Sequence, residues 1–71
     1  MQPRLTHRGR QILDLIYKGH SDREIAGILI ISVSTVRHHI EKMFSEFDVY
    51  SRTELVSKAI RSGLIQPARD S

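Results

Sequence analysis

The sequence contains no cysteine and no tryptophan, and it has only two prolines. Without cysteine, neither a disulfide nor a thiolate metal site can stabilise the chain, although a core built from 71 residues is marginal by size alone. Its stability must therefore come from compact packing of secondary structure within one small domain.

Long apolar segments are also missing. No stretch approaches the roughly 18 apolar residues of a membrane span, and no signal peptide precedes a cleavage site. The sequence therefore predicts a cytoplasmic protein with no membrane partner. We expect a single domain over residues 1–71, ordered over about 5–65, with tails at 1–4 and 66–71.

Signatures of enzymes and metal sites are absent as well. There is no glycine-rich phosphate loop and no nucleophile elbow, and the chain is too short to enclose a pocket. No two histidines are spaced at i, i+4, and the adjacent His38 and His39 diverge by about 100° on a helix, so they cannot chelate one ion. We expect no catalytic residue, no metal, no cofactor and no small-molecule ligand.

Basic residues exceed acidic ones by a small margin. Eleven lysines and arginines oppose eight carboxylates, which gives a net charge of +3, and eight of the eleven are arginine. This excess favours an anionic partner, and the planar fork of arginine suits bidentate contact with phosphate or guanine.

Apolar residues recur with helical spacing in four segments, and no segment alternates in the manner of a strand. Four candidate N-caps precede these segments: Thr6, Ser21, Ser32 and Ser51. Ser21 and Ser51 are each followed three residues later by a glutamate, the capping-box pattern. The sequence predicts an all-α, four-helix bundle-like domain that contains a helix-turn-helix, with helices at about 7–18, 22–29, 33–47 and 52–62.

The apolar positions predict which side chains are buried. One face of the first helix carries three of them: Ile12, Leu15 and Ile16. Leu13 lies at the edge of that face, and Tyr17 points away from it. In the turn before the third helix, Ile31 is expected to enter the core and Ile30 to be exposed.

The third helix has two contrasting sides. Its predicted buried stripe consists of Val36, Ile40, Met43 and Phe47, which lie within about 60° of each other. The opposite side is polar. Periodicity alone leaves two interpretations open: this side is simply a solvated surface, or it contacts DNA, since such a helix fits the major groove. The candidate base contacts are Ser34, Arg37, His38 and Glu41. The candidate backbone contacts are Ser32, Thr35 and Lys42.

The fourth helix has two apolar sides. Leu55 and Ala59 fall on one face, while Val56 and Ile60 lie roughly 100° round, next to Thr53. A short helix with two apolar faces needs a partner in addition to its own core.

Fixed-spacing motifs run along nearly the whole chain: Leu5-Thr6-His7-Arg8, Gly19-His20-Ser21, Glu24-Ile25-Ala26, Leu29-Ile30-Ile31-Ser32, Thr35-Val36-Arg37-His38-His39, Val49-Tyr50-Ser51-Arg52-Thr53-Glu54, Ala59 and Gly63-Leu64-Ile65. In these motifs the chain resembles the LuxR-type (GerE, NarL/FixJ) DNA-binding domain of bacterial transcription regulators over residues 5–65. The resemblance implies sequence-specific binding of double-stranded DNA by a bacterial transcription regulator, or by its C-terminal output domain of response-regulator type.

The resemblance also implies roles for individual residues. Three residues match positions that contact bases in the family: Arg37, His38 and Glu41. Two others match positions that contact the DNA backbone: Thr35 and Lys42. The fourth helix is implied to mediate a homodimer on inverted-repeat sites, which agrees with a second apolar face at Thr53, Val56 and Ile60. RNA polymerase is a further candidate partner.

The chain departs from the family pattern at several positions. Gly9 replaces a usual glutamate, Glu46 replaces a usual basic residue, and Phe47-Asp48 replaces the usual Leu-Gly. Glu41 stands where some members carry lysine. The alternative hypothesis is therefore a helical protein-interaction module that has lost DNA binding, and the apolar Ile28 and Ile30 also motivate it.

Overall fold

The computed structural model describes residues 5–67, which form four α-helices in this part of the chain. The helices are α1 (His7–Tyr17), α2 (Asp22–Leu29), α3 (Val33–Phe47) and α4 (Arg52–Arg61). The predicted all-α fold is confirmed, and every helix boundary lies within one residue of its expected place. Of the expected tails, residues 1–4 and 68–71 lie outside the described residues, while residues 66 and 67 are exposed and follow α4 without joining it.

The helix N-termini are closed by the predicted side chains, with one exception in detail. At α2 the capping box is complete, because the Ser21 N–H donates to Oε1 of Glu24 at 2.8 Å and the Glu24 N–H donates to Oγ of Ser21 at 3.2 Å. At α4 only one of the two hydrogen bonds of the predicted capping box forms. Oγ of Ser51 accepts from the Glu54 N–H at 3.1 Å, but Oε1 of Glu54 accepts from the Tyr50 N–H instead. Ser51 has φ −147°, against −76° at Ser21, so its own N–H is turned differently.

The core is built around α3, which packs against each of the other three helices. All four residues of its predicted stripe are buried: Val36, Ile40, Met43 and Phe47. The prediction for α1 is wrong in two places, since Leu13 is 0% exposed and Tyr17 is half-buried against the core. Because α1 contacts α2, α3 and α4, its buried arc is wider than a single stripe.

The C-terminal segment completes the core from the other side. Leu55 and Ala59 of α4 are buried as expected. After α4 the chain turns at Gly63, whose φ of +79° is readily available only to glycine, and Ile65 then enters the core. Lys58 of α4 donates from Nζ to the carbonyl oxygen of Phe47 at 2.7 Å, so α4 also closes the C-terminus of α3. Within residues 5–67, none of the helices has the length and apolar character that crossing a membrane would need.

Two non-glycine residues end helices in the left-handed conformation: Ile30 with φ 57° after α2, and Asp48 with φ 56° after α3. Aspartate tolerates this region, but a β-branched residue there is strained by about 1–2 kcal/mol. The side chain of Ile30 is 89% exposed, so packing does not offset the strain. The same turn packs Ile31 against the core, where it is half-buried, and leaves Ile30 exposed; the sequence predicts the same directions for both residues.

We expect Ile30→Asn to raise the free energy of unfolding by about 1 kcal/mol, because asparagine adopts the left-handed conformation more readily and little buried area is lost. Urea denaturation measures the change. Ile28→Asn is the matched control, since Ile28 is also exposed, at 51%, but lies within α2 and carries no such strain. A loss of stability in Ile30→Asn as large as that in the control would contradict the prediction.

Candidate nucleic-acid interface

The polar face of α3, which we define as Ser34, Arg37, His38 and Glu41, lies on the outer surface of the domain, and all four residues are exposed. Burial of the opposite stripe holds this face outward. Thr35 and Lys42 are exposed beside it. The structure therefore brings together the residues that the sequence grouped as candidate contacts.

Hydroxyl groups cluster at the N-terminus of α3. Oγ of Ser32 accepts a hydrogen bond from the Thr35 N–H at 3.0 Å and lies 2.8 Å from Oγ1 of Thr35. Oγ of Ser34 lies 3.4 Å from Oγ of Ser32. Ser32 is thus occupied as the N-cap, while all three residues remain exposed at the positive end of the helix dipole. Such an end suits an anionic oxygen.

The side chain of Arg37 is held by the carboxylate of Asp22, a contact that the sequence did not indicate. Its Nε donates to Oδ2 of Asp22 at 3.3 Å, and Nη2 of Arg52 donates to Oδ1 of the same carboxylate. Partial burial alone would raise the pKa of Asp22, but the hydrogen bonds and charges of Arg52 and Arg37 outweigh it and hold the pKa below its ordinary value. Asp22 is therefore a carboxylate that bridges two arginines.

Two histidines lie next to each other on α3. His38 is exposed and His39 is half-buried, and their rings meet edge to face with centroids 6.3 Å apart. Burial lowers the pKa of His39, and the nearby charges of His38, Lys42 and Arg8 lower it further. Among residues 5–67, no group of three or more potential ligands could hold a metal ion.

Acidic residues reduce the positive charge of this region. Glu41 on the polar face of α3 and Glu46 near the end of the helix are both exposed. Neither carboxylate forms an ion pair with another residue in the described part of the chain. Their charges are thus free to act on whatever approaches α3.

The second apolar face of α4 is only partly open. Thr53 is exposed, but Val56 and Ile60 are half-buried and pack against the core of their own chain. Thr53 and Val56 also line a shallow hollow that reaches Ile16 and His20. The face expected to meet a partner is therefore narrower than its sequence suggests.

Comparison with known proteins decides the family. Residues 3–59 match the model of the bacterial regulatory proteins of the luxR family. The chain belongs to this family. It is 42% identical over 62 residues to the response regulator protein VraR of Staphylococcus aureus, covering 87% of this chain but only 30% of that protein.

Solved structures show the same fold. The transcription factor GerE is similar with 33% sequence identity and a TM-score of 0.81, covering 84% of this chain and 90% of that one. A complex of Vibrio cholera VqmA with ligand and DNA is similar with 30% identity and a TM-score of 0.83, covering 90% of this chain and 28% of that one. The chain is thus a LuxR-type helix-turn-helix DNA-binding domain of bacterial transcription regulators, and since the family is not enzymatic, the expectation that it is not an enzyme is confirmed.

Proposed function

We propose that this chain forms a single domain that binds specific sequences of double-stranded DNA in the cytoplasm, with α3 in the major groove. The observation that carries the proposal is the polar face of α3, whose four residues are all exposed and which is backed by a buried stripe. A face with arginine, histidine and hydroxyl groups on a rigid helix supplies donors for base edges. The likeness to VraR favours a place in a regulator of the response-regulator type.

We assign base contacts to Ser34, Arg37, His38 and Glu41. Arg37 can donate to O6 and N7 of guanine, and Glu41 can accept from N4 of cytosine. Contacts to the DNA backbone fall to Ser32, Thr35 and Lys42. The hydroxyl cluster at the start of α3 supports the first two of these, because it lies where helix N–H groups attract phosphate.

Dimerisation on inverted-repeat sites belongs to α4. Thr53, Val56 and Ile60 form one side of this helix, and the shallow hollow beside Thr53 and Val56 could receive a side chain of a second copy. An isologous contact of this kind would place the same face of both copies together, in keeping with two-fold DNA sites.

Salt dependence tests DNA binding itself. For a domain that neutralises two or more phosphates, affinity for random duplex DNA should fall at least about tenfold between about 50 and 200 mM salt. Fluorescence anisotropy with a labelled duplex measures it. No detectable binding at the lower salt concentration would contradict the proposal and favour the protein-interaction module, which the exposed Ile28 and Ile30 would suit.

Sequence selection from a random DNA pool tests the role of Arg37. The unaltered chain should yield a half-site, and Arg37→Ala should lose one base preference and about 1–3 kcal/mol of binding to the selected site. Arg10→Ala, which removes an exposed arginine from α1, should leave every base preference in place. An unchanged preference in Arg37→Ala would remove this residue from the base contacts.

Thr53→Glu tests the dimer face without disturbing the core, since Thr53 is exposed in the first turn of α4, where a negative charge is compatible with the helix dipole. Two glutamates would face each other across the two-fold axis and lower cooperative binding to paired half-sites by about fivefold or more. Affinities for paired and single half-sites give the cooperativity. Gln66→Glu is the control: it adds the same charge outside α4 and should leave the cooperativity unchanged. Equal cooperativity in the two variants would exclude Thr53 from the interface.

A further inference from the structure

The carboxylate of Asp22 joins three helices at one edge of the polar face of α3. Asp22 is the first residue of α2, Arg37 lies on α3, and Arg52 is the first residue of α4. Each carboxylate oxygen accepts from a different arginine: Oδ2 from Nε of Arg37 and Oδ1 from Nη2 of Arg52. Arg37 and Arg52 lie 15 and 30 positions from Asp22, so the contact exists only because the helices are packed.

The bond leaves the guanine-binding end of Arg37 available. Within residues 5–67, the hydrogen bond of Arg37 uses Nε alone, and its side chain remains 65% exposed. The two Nη groups can therefore still donate in parallel to O6 and N7 of guanine. An arginine fixed through Nε in this way loses less side-chain freedom on binding than an unattached one.

We infer that Asp22 is a positioning residue for base recognition, which fixes the guanidinium of Arg37 toward one base while Arg52 fixes Asp22. The inference rests on the proposed function. It differs from a role in capping alone, because α2 is already capped by Ser21 and Glu24. A role in repelling DNA phosphate is a different matter. The Asp22 side chain is only 15% exposed, and its negative charge is neutralised by ion pairs with Arg37 and Arg52.

Base discrimination in Asp22→Asn tests the inference. The measured quantity is the ratio of affinities for the selected site and for the same site with the base pair that Arg37 prefers replaced. Asparagine keeps the shape of Asp22 but loses the charge and cannot accept from both arginines through two oxygens. The ratio should fall by about five- to tenfold, toward that of Arg37→Ala, while binding to random duplex DNA does not weaken.

A double-mutant cycle separates positioning from a general effect on the fold. In the Arg37→Ala background, Asp22→Asn should leave the ratio unchanged, since no guanidinium remains to be positioned. Asp14→Asn is the matched control, because it removes the same charge from an exposed ion pair with Lys18 on α1 and should not alter the ratio. Circular dichroism sets a temperature at which every variant is folded.

Three results would overturn the inference. The ratio could stay constant in Asp22→Asn with both affinities unchanged, it could stay constant because both affinities drop together, as a merely structural role would require, or it could fall equally in the Arg37→Ala background. Failure of the proposed function looks different, because the unaltered chain would then show no salt-sensitive DNA binding and no ratio above one. That result would remove the basis of the inference as well.

Discussion

Burial of the apolar stripe on α3 is the constraint on which the domain depends. Val36, Ile40, Met43 and Phe47 contribute about 1.5–3 kcal/mol each through removal from water, which together is comparable to the whole stability of a small domain. Because α3 contacts all three other helices, this burial also fixes the rotation of α3 about its own axis. A rotation by one residue, about 100°, would carry Arg37 toward the core.

The features that depend on local spacing could be predicted from the sequence, and those that depend on how helices meet could not. Helix bounds, the N-caps and the two sides of α3 follow from residue identity over a few positions. The full burial of Leu13 does not, since it requires α1 to be enclosed by its neighbours. The carboxylate of Asp22 also has no local signal, because its partners come from α3 and α4.

Polar contacts tie α4 to both helices of the helix-turn-helix. Lys58 donates to the carbonyl oxygen of Phe47, the last residue of α3, and Arg52 donates to the carboxylate of Asp22, the first residue of α2. These contacts lie at the two ends of α4, so a shift of α4 would disturb both. If a second copy docks on α4 and α3 binds DNA, as proposed, any shift of α4 on docking would reach the carboxylate that holds Arg37.

If α3 enters the major groove as proposed, the charge around its polar face gives a second copy a role. Arg37 and Lys42 are opposed there by Glu41 and Glu46, so this group of four side chains has no net charge and would add little attraction to phosphate. Unpaired carboxylates would also penalise binding in a wrong register, since a carboxylate placed near phosphates with no base N–H to donate to it costs free energy. Geometry rather than charge would then select the site, and two half-sites bound by one dimer would supply the affinity that a single copy lacks, because the second contact becomes intramolecular.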